Sequence, residues 1–234
     1  MRLRLLALGI GLALCLPWSA QAAPLRAIVA FSGQPAPSRP LGYFLRPNGI
    51  LPIAPPSPDP RRETVLEVMP LAGSPKLLPE RAGVPPLPTE QTVRVFGQRL
   101  LPRQLLLLPG GTLTLRSDDQ RPVTVELSPA LPGKPSVLLL PGQAQSIRLS
   151  SAGELSLSLR EQPSLPVHVL LPLHLATHLE VSEQGTMAVA TLDVPPGRYV
   201  VRLRVPGGEV WQQEVDVPAD GRELSLKASL GEER

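Results

Sequence analysis

Short runs of alternating apolar and polar residues fill the chain from Thr92 to Ala228. The clearest are Leu113-Thr114-Leu115-Arg116 and Leu155-Ser156-Leu157-Ser158-Leu159. Successive side chains of a strand point to opposite faces, so this period of two predicts strands with one face on a core and the other in water. Turn-forming groups such as Pro109-Gly110-Gly111 and Pro141-Gly142 predict the reversals between them. We expect an all-β fold of two antiparallel β-sandwich modules.

Proline accounts for 31 of the 234 residues and recurs every few positions between Gly33 and Pro88. Proline lacks an amide hydrogen and its ring clashes with a preceding helical turn, so this stretch is predicted to form neither a helix nor a central strand. We interpret residues 34–91 as an extended Pro-rich connector with one edge strand at Thr64–Met69. Residues 23–33 are interpreted as an N-terminal strand segment.

The first 22 residues have the three parts of a secretion signal. Arg2 and Arg4 are positive, residues 5–16 are apolar, and Ala20-Gln21-Ala22 has the small residues that a signal peptidase reads. An apolar run of about 12 residues is too short for a transmembrane anchor, which needs about 20. Lipidation of Cys15 is poorly matched, because a leucine precedes it. We expect a periplasmic or secreted protein without a transmembrane anchor.

Loss of this signal would change the chemistry that the chain can perform. Cys15 is the only cysteine, so the mature protein would have no disulfide and no thiolate. Arg2 and Arg4 would also leave, and the formal net charge would fall from +3 to +1. A nearly neutral chain with 3% aromatic residues lacks the basic face and stacking side chains of nucleic-acid-binding proteins. We therefore expect no nucleic-acid partner.

Two stretches resemble known families. Val194-Pro195-Pro196-Gly197-Arg198-Tyr199, preceded by Gln184-Gly185-Thr186-Met187, resembles the V-P-P-G-x-Y and D-G-x-F motifs of the carboxypeptidase regulatory-like (transthyretin-like) module. Gln184 stands where an acid is usual. The resemblance implies a small, non-catalytic sandwich at residues 167–231.

Residues 92–166 resemble a plastocyanin-like (cupredoxin) domain. The resemblance lies in residues 96–115, in the turn Ser117-Asp118-Asp119, in Leu140-Pro141-Gly142-Gln143-Ala144 and in Ser151-Ala152-Gly153-Glu154. The order of the two modules after a signal is that of plastocyanin-like, methylamine-utilization-type periplasmic proteins.

The cupredoxin resemblance implies a copper site of two imidazoles, a thiolate and an axial thioether. The first histidine should follow Asp118-Asp119, yet residues 120–127 contain none. A Cys-x-x-His-x-x-Met loop should follow Gly153, yet residues 159–166 contain no Cys, His or Met. Since the implied ligand positions are empty, we expect no cofactor.

The three histidines, His168, His174 and His178, are weak candidates for metal ligands. On an extended strand they would lie about 13–20 Å apart, unless the chain folds back near Pro172. We favour scattered imidazoles over a metal site.

No catalytic arrangement is evident in the sequence, and we expect the protein not to be an enzyme. No Gly-x-Ser-x-Gly elbow accompanies the serines, and Asp118 and Asp119 are typical of a solvated turn. Tyr199 and Trp211 could stack on a sugar, but lone aromatics in strands usually belong to a core. We expect a non-catalytic structural or protein-interaction module with a partner in the cell envelope. A periplasmic copper- or metal-binding protein and a carbohydrate-binding accessory protein are the alternatives.

Overall fold

The computed structural model describes residues 22–31, 43–46, 49–52, 60–182, 187–206 and 210–230. The predicted signal, apart from Ala22, lies outside these residues, as do much of the Pro-rich connector and Gln184-Gly185-Thr186. The described chain is built from strands, with two short 3-10 helices at Pro60–Glu63 and Pro79–Ala82. None of the helices in the described part is long and apolar enough to cross a membrane.

The strands, in chain order, are β1 Ala23–Phe31, β2 Tyr43–Arg46, β3 Gly49–Pro52, β4 Val65–Pro70, β5 Glu90–Phe96, β6 Arg99–Leu101, β7 Gln104–Leu106, β8 Thr112–Ser117, β9 Val123–Leu131, β10 Lys134–Leu139, β11 Ala144–Arg148, β12 Gly153–Leu159, β13 Gln162–Leu171, β14 Leu175–His178, β15 Glu180–Val181, β16 Met187–Val194, β17 Gly197–Arg204, β18 Val210–Val217 and β19 Leu224–Leu230.

The first sandwich consists of sheet 1, in the order β11-β8-β5-β6, and sheet 2, in the order β10-β9-β12-β13-β7. Their inner faces bury one cluster of valine and leucine side chains, among them Leu113, Leu115, Val125 and Leu157, all fully buried. These residues occupy the apolar positions of the alternating runs, so the period of two predicted the core face of each strand.

The second sandwich consists of sheet 3, in the order β14-β4-β17-β18, and sheet 4, in the order β15-β16-β1-β19. A separate core fills it, including Leu25, Leu66, Tyr199 and Leu203. β1 lies between β16 and β19, so this sandwich draws strands from both ends of the chain. The first sandwich is therefore inserted between β4 and β14 of the second.

The all-β prediction is confirmed, and most strand pairs are antiparallel. Among the described strands, three pairs are parallel: β1 with β19, β5 with β8, and β7 with β13. A parallel pair needs a crossover connection, and here the crossovers pass between the sheets of a sandwich. β2 and β3 form a two-stranded antiparallel hairpin within the Pro-rich stretch.

Two strand assignments made from the sequence are wrong. The strand expected at the edge, Thr64–Met69, is β4, which has β14 on one side and β17 on the other. Residues Val167–Leu171 were assigned to the second block, yet they belong to β13, whose Val167 and Val169 are buried in the first core. Alternation shows which face of a strand is buried, but it does not identify the strand's neighbours.

Candidate functional site

At one end of the first sandwich, a tight hairpin stands where the cupredoxin resemblance implies a ligand loop. β12 and β13 are joined through Arg160 and Glu161, and Leu159 pairs with Gln162. This connection has neither the length nor the donor atoms of a Cys-x-x-His-x-x-Met loop. The residues at this end do not fit a blue-copper centre.

The acidic pair after β8 has a structural role at the same end. Asp119 accepts hydrogen bonds from the backbone N–H groups of Gly97 (2.6 Å) and Gln98 (3.0 Å). Both residues have positive φ, 58° and 60°, as a two-residue hairpin turn of type I′ requires. Asp119 therefore fixes the β5–β6 turn.

Asp118 is held by two arginines of sheet 1. Arg94 Nε donates to Asp118 Oδ2 at 2.6 Å, and Arg116 Nε donates to Asp118 Oδ1 at 3.1 Å. Both carboxylates of the pair are thus engaged in local contacts, as expected of a turn rather than of an acid–base couple.

The three histidines lie in different surroundings. His168 is on β13 in the first sandwich, His174 is exposed in the β13–β14 connection, and His178 ends β14 in the second sandwich. Burial lowers the pKa of His178, and a hydrogen bond with the backbone of Thr64 opposes this shift in part. Within the described ranges, no three His, Cys, Asp or Glu side chains group closely enough to hold a metal ion.

The two aromatic candidates belong to the second core. Tyr199 is fully buried, and its hydroxyl donates to the carbonyl oxygen of Pro195 at 2.9 Å. Burial raises the pKa of this phenol. Trp211 is partly buried against the same core. The core interpretation is confirmed for Tyr199, which offers no ring face to a sugar, whereas Trp211 packs against the core with part of its side chain exposed.

The most elaborate polar arrangement of the described chain joins the two sandwiches. Glu154, on β12, places Oε1 2.7 Å from His168 Nδ1 and accepts from Arg204 Nη1 at Oε2, 2.9 Å away. Arg204, on β17, also donates from Nε to Glu67 Oε2 at 3.0 Å. A carboxylate of the first sandwich and one of the second therefore share a single guanidinium, with Arg202 3.8 Å from Glu67.

The electrostatics of Arg204 follow from its position between two carboxylates. Partial burial by itself would lower its pKa, but the charges and hydrogen bonds of Glu67 and Glu154 outweigh burial and raise the pKa. The two carboxylates therefore favour the charged form of the guanidinium.

A buried amide adds a second link across the same junction. Gln104, only 3% exposed, donates from Nε2 to the carbonyl oxygens of Glu63 (2.9 Å) and Arg204 (3.0 Å). The Glu63 carboxylate in turn accepts from the backbone N–H groups of Arg103 and Gln104, at 2.8 and 3.1 Å. The start of β7 is thereby bonded to the 3-10 helix that precedes β4 and to the end of β17.

Next to these polar groups lies a small apolar layer. Leu106 and Leu170 from sheet 2 pack with Val65 and Ala176 from sheet 3, and Leu87 is partly buried against them. Leu106 and Leu170 lie on the face of sheet 2 that points away from its own core, since neighbouring residues Leu105 and Val169 point into it. We call these apolar residues, together with the Gln104 and Arg204 contacts, the inter-sandwich junction.

Sequence reasoning did not find the junction. Glu67, Arg202 and Arg204 interrupt apolar strands at outward positions, which is the pattern of any solvated sheet face. The only available signal was the apolar doublets, Leu105-Leu106 and Val169-Leu170, which break the alternation and bury both faces of their strands.

Comparison with protein-family models and with curated proteins finds no match. Among solved structures, the chain is similar to the Cu(I) form of a Met-to-Ala variant of amicyanin, with 18% identity over 35% of this chain and 80% of that one and a TM-score of 0.31. It is also similar to a novel purple cupredoxin from Nitrosopumilus maritimus, with 15% identity over 35% of this chain and 98% of that one and a TM-score of 0.29. An oxidised Met-to-Lys amicyanin variant matches 45% of the chain at 16% identity and a TM-score of 0.32. The chain thus has cupredoxins as partial structural neighbours, and the fold above rests on its own sheets and cores.

Proposed function

We propose that this protein is an exported, non-catalytic β-sandwich protein that acts as a structural or protein-interaction module of the cell envelope. The observation that carries the proposal is the edge of sheet 2. Among the strands that the structure describes, β10 pairs with β9 alone. Two large apolar side chains are exposed at its end, Leu138 (58% exposed) within β10 and Leu140 (51% exposed) directly after it.

An unpaired strand edge with exposed leucines is a feature that monomeric proteins usually protect. Charged residues and prolines are the common protection, and the first half of β10 has both, in Lys134 and Pro135. The end of the strand, with Leu138 and the following Leu140, has neither. Addition of a partner's strand to such an edge is a recurring mode of recognition, in which backbone hydrogen bonds provide affinity and apolar side chains provide selectivity.

The inter-sandwich junction supports the same proposal. Contacts that restrain the first sandwich relative to the second favour binding of a partner at β10, because less conformational entropy is lost when the complex forms. The two alternative functions have less support. For copper binding, residues 159–166 around the β12–β13 turn include no Cys, His or Met to act as a ligand. For carbohydrate binding, Tyr199 is buried.

A photo-crosslinking amino acid at position 138, introduced in the producing organism, tests this function. We expect a discrete crosslinked species in the envelope fraction. The same group at Ser225, an exposed position on β19, is the control and should give none. Absence of a species at 138, or the same species at both positions, would contradict the proposal.

A further inference from the structure

Between the edges of the two sheets of the first sandwich lies a cavity of about 370 Å³, at the opposite end from the implied copper site. It is bounded by the β9–β10 turn, the end of β11 and the start of β12. Its volume lies within the range of about 300–1,000 Å³ that is typical of small-molecule sites.

The apolar part of the cavity wall comes from the core itself. Ile147, Leu149, Leu155 and Leu171 line it, and each is at least 95% buried. β10 and β11 belong to different sheets and are not hydrogen-bonded to each other, so the edge of the core borders the cavity at this end of the sandwich. An aliphatic chain that entered here would contact side chains that are already desolvated.

The charged residues at the rim favour an anion. Lys134 and Arg148 line the cavity, and neither forms an ion pair with any residue that the structure describes. Arg148 Nε donates to the carbonyl oxygen of Gly110 at 3.2 Å, which restrains its guanidinium. The one carboxylate at the rim, Glu154, has both oxygens engaged, by His168 and Arg204.

From this arrangement we infer a binding site for a small amphipathic anion, an aliphatic carboxylate whose chain enters the apolar cavity and whose head group lies near Lys134 and Arg148. Ser150 and Ser151 also line the cavity and can donate hydroxyl hydrogen bonds to the head group. The inference is independent of the proposed function, since it concerns neither Leu138 nor a protein partner.

Calorimetric titration of the purified protein with octanoate, octanol and acetate tests the site. Octanoate should bind saturably, octanol more weakly because it lacks the charge, and acetate not measurably because it lacks the chain. Amide shifts caused by octanoate should centre on Ile147 and Leu155. The site is wrong if octanoate does not saturate, if octanol binds as tightly, or if the shifts centre elsewhere.

Substitutions separate the two parts of the ligand. Lys134→Gln with Arg148→Gln should weaken octanoate binding by about two- to tenfold and leave octanol binding unchanged. Ser151→Trp, at the exposed rim, should abolish binding of both. The matched control is Lys227→Gln, an exposed lysine on β19. All these positions are exposed, and unchanged melting temperatures will show that the variants fold. Octanoate affinity unaffected by the double substitution, or equally reduced by Lys227→Gln, would overturn the assignment.

Discussion

Arg204 of the second sandwich donates a hydrogen bond to Glu154 of the first, with 2.9 Å between Nη1 and Oε2. These residues are 50 positions apart in the chain, and neither belongs to a core. Their contact and the hydrogen bonds of the Gln104 amide link the two sandwiches, and the Glu67–Arg204 pair holds Arg204 from within the second.

The buried amide of Gln104 should contribute measurably to stability. Gln104→Ala leaves the carbonyl oxygens of Glu63 and Arg204 without their donor, and an unsatisfied buried polar group costs about 1–3 kcal/mol. Urea denaturation should show a loss of this size in the free energy of unfolding. Gln213→Ala, on the exposed side of β18, should change it by less than about 0.5 kcal/mol. Equal effects at the two positions would show that the junction amide is not special.

The apolar layer of the junction should behave as a core. Leu170 is 2% exposed, and Leu170→Ala should cost about 2–5 kcal/mol because a cavity remains where the side chain was. We also expect one calorimetric unfolding transition for the unaltered protein and a broadened or divided transition for Leu170→Ala, since each sandwich has its own core. The matched control is Leu138→Ala, at a leucine that is 58% exposed, and it should leave the temperature of the unfolding transition nearly unchanged. A loss as small as that of Leu138→Ala would argue against a packed junction.

The ion pair between Glu67 and Arg204 should be energetically coupled. Their side chains are 11% and 22% exposed, so water screens them less than it screens surface pairs. A double-mutant cycle with Glu67→Gln and Arg204→Met should give a coupling energy of about 0.5–3 kcal/mol. The same cycle on Arg198 and Glu214, which are 67% and 64% exposed, should give less than about 1 kcal/mol. Equal couplings in the two cycles would show that partial burial does not strengthen the Glu67–Arg204 pair.

The lowered pKa of His178 should make stability depend on pH. A folded-state pKa below the ordinary value of 6.5 means that the unfolded chain takes up a proton first as the pH falls. The contribution of His178 to the free energy of unfolding is therefore fully present above about pH 6.5. It is lost as the pH falls below that value and through the folded-state pKa. The effect is small, because the side chain is partly in contact with water.

Melting temperatures measured from pH 7.5 down to acidic pH check this titration. His178→Gln should flatten the decline below about pH 6.5 relative to the unaltered protein. A decline that is unchanged in His178→Gln would show that this imidazole does not report on folding.

The individual strands could largely be predicted from the sequence. The alternating run Leu113–Arg116 lies within β8 (Thr112–Ser117), and the run Leu155–Leu159 lies within β12 (Gly153–Leu159). Pairing could not be predicted in the same way. β4 lies in a proline-rich context and β13 crosses the expected module boundary, and the neighbours of each are far away in the chain.

The site shows the same division. The absence of Cys, His and Met from residues 159–166 could be read from residue types alone, because no fold can supply donor atoms that a loop lacks. The inter-sandwich junction could not be predicted from the sequence, because Glu67, Glu154 and Arg204 each resemble an ordinary residue on a solvated strand face.

By itself, the sequence determined the all-β character, the inward face of most strands, and a donor set without a thiolate after Cys15. Alternation and composition are local properties, and they act over a few residues. Only the tertiary structure decided that β1 and β4 complete the second sandwich, that the first sandwich is inserted within it, and that Arg204 lies between Glu67 and Glu154. Those outcomes depend on which strand faces, far apart in the sequence, bury each other. The local alternation cannot select among them, because many pairings of distant strands satisfy the same pattern.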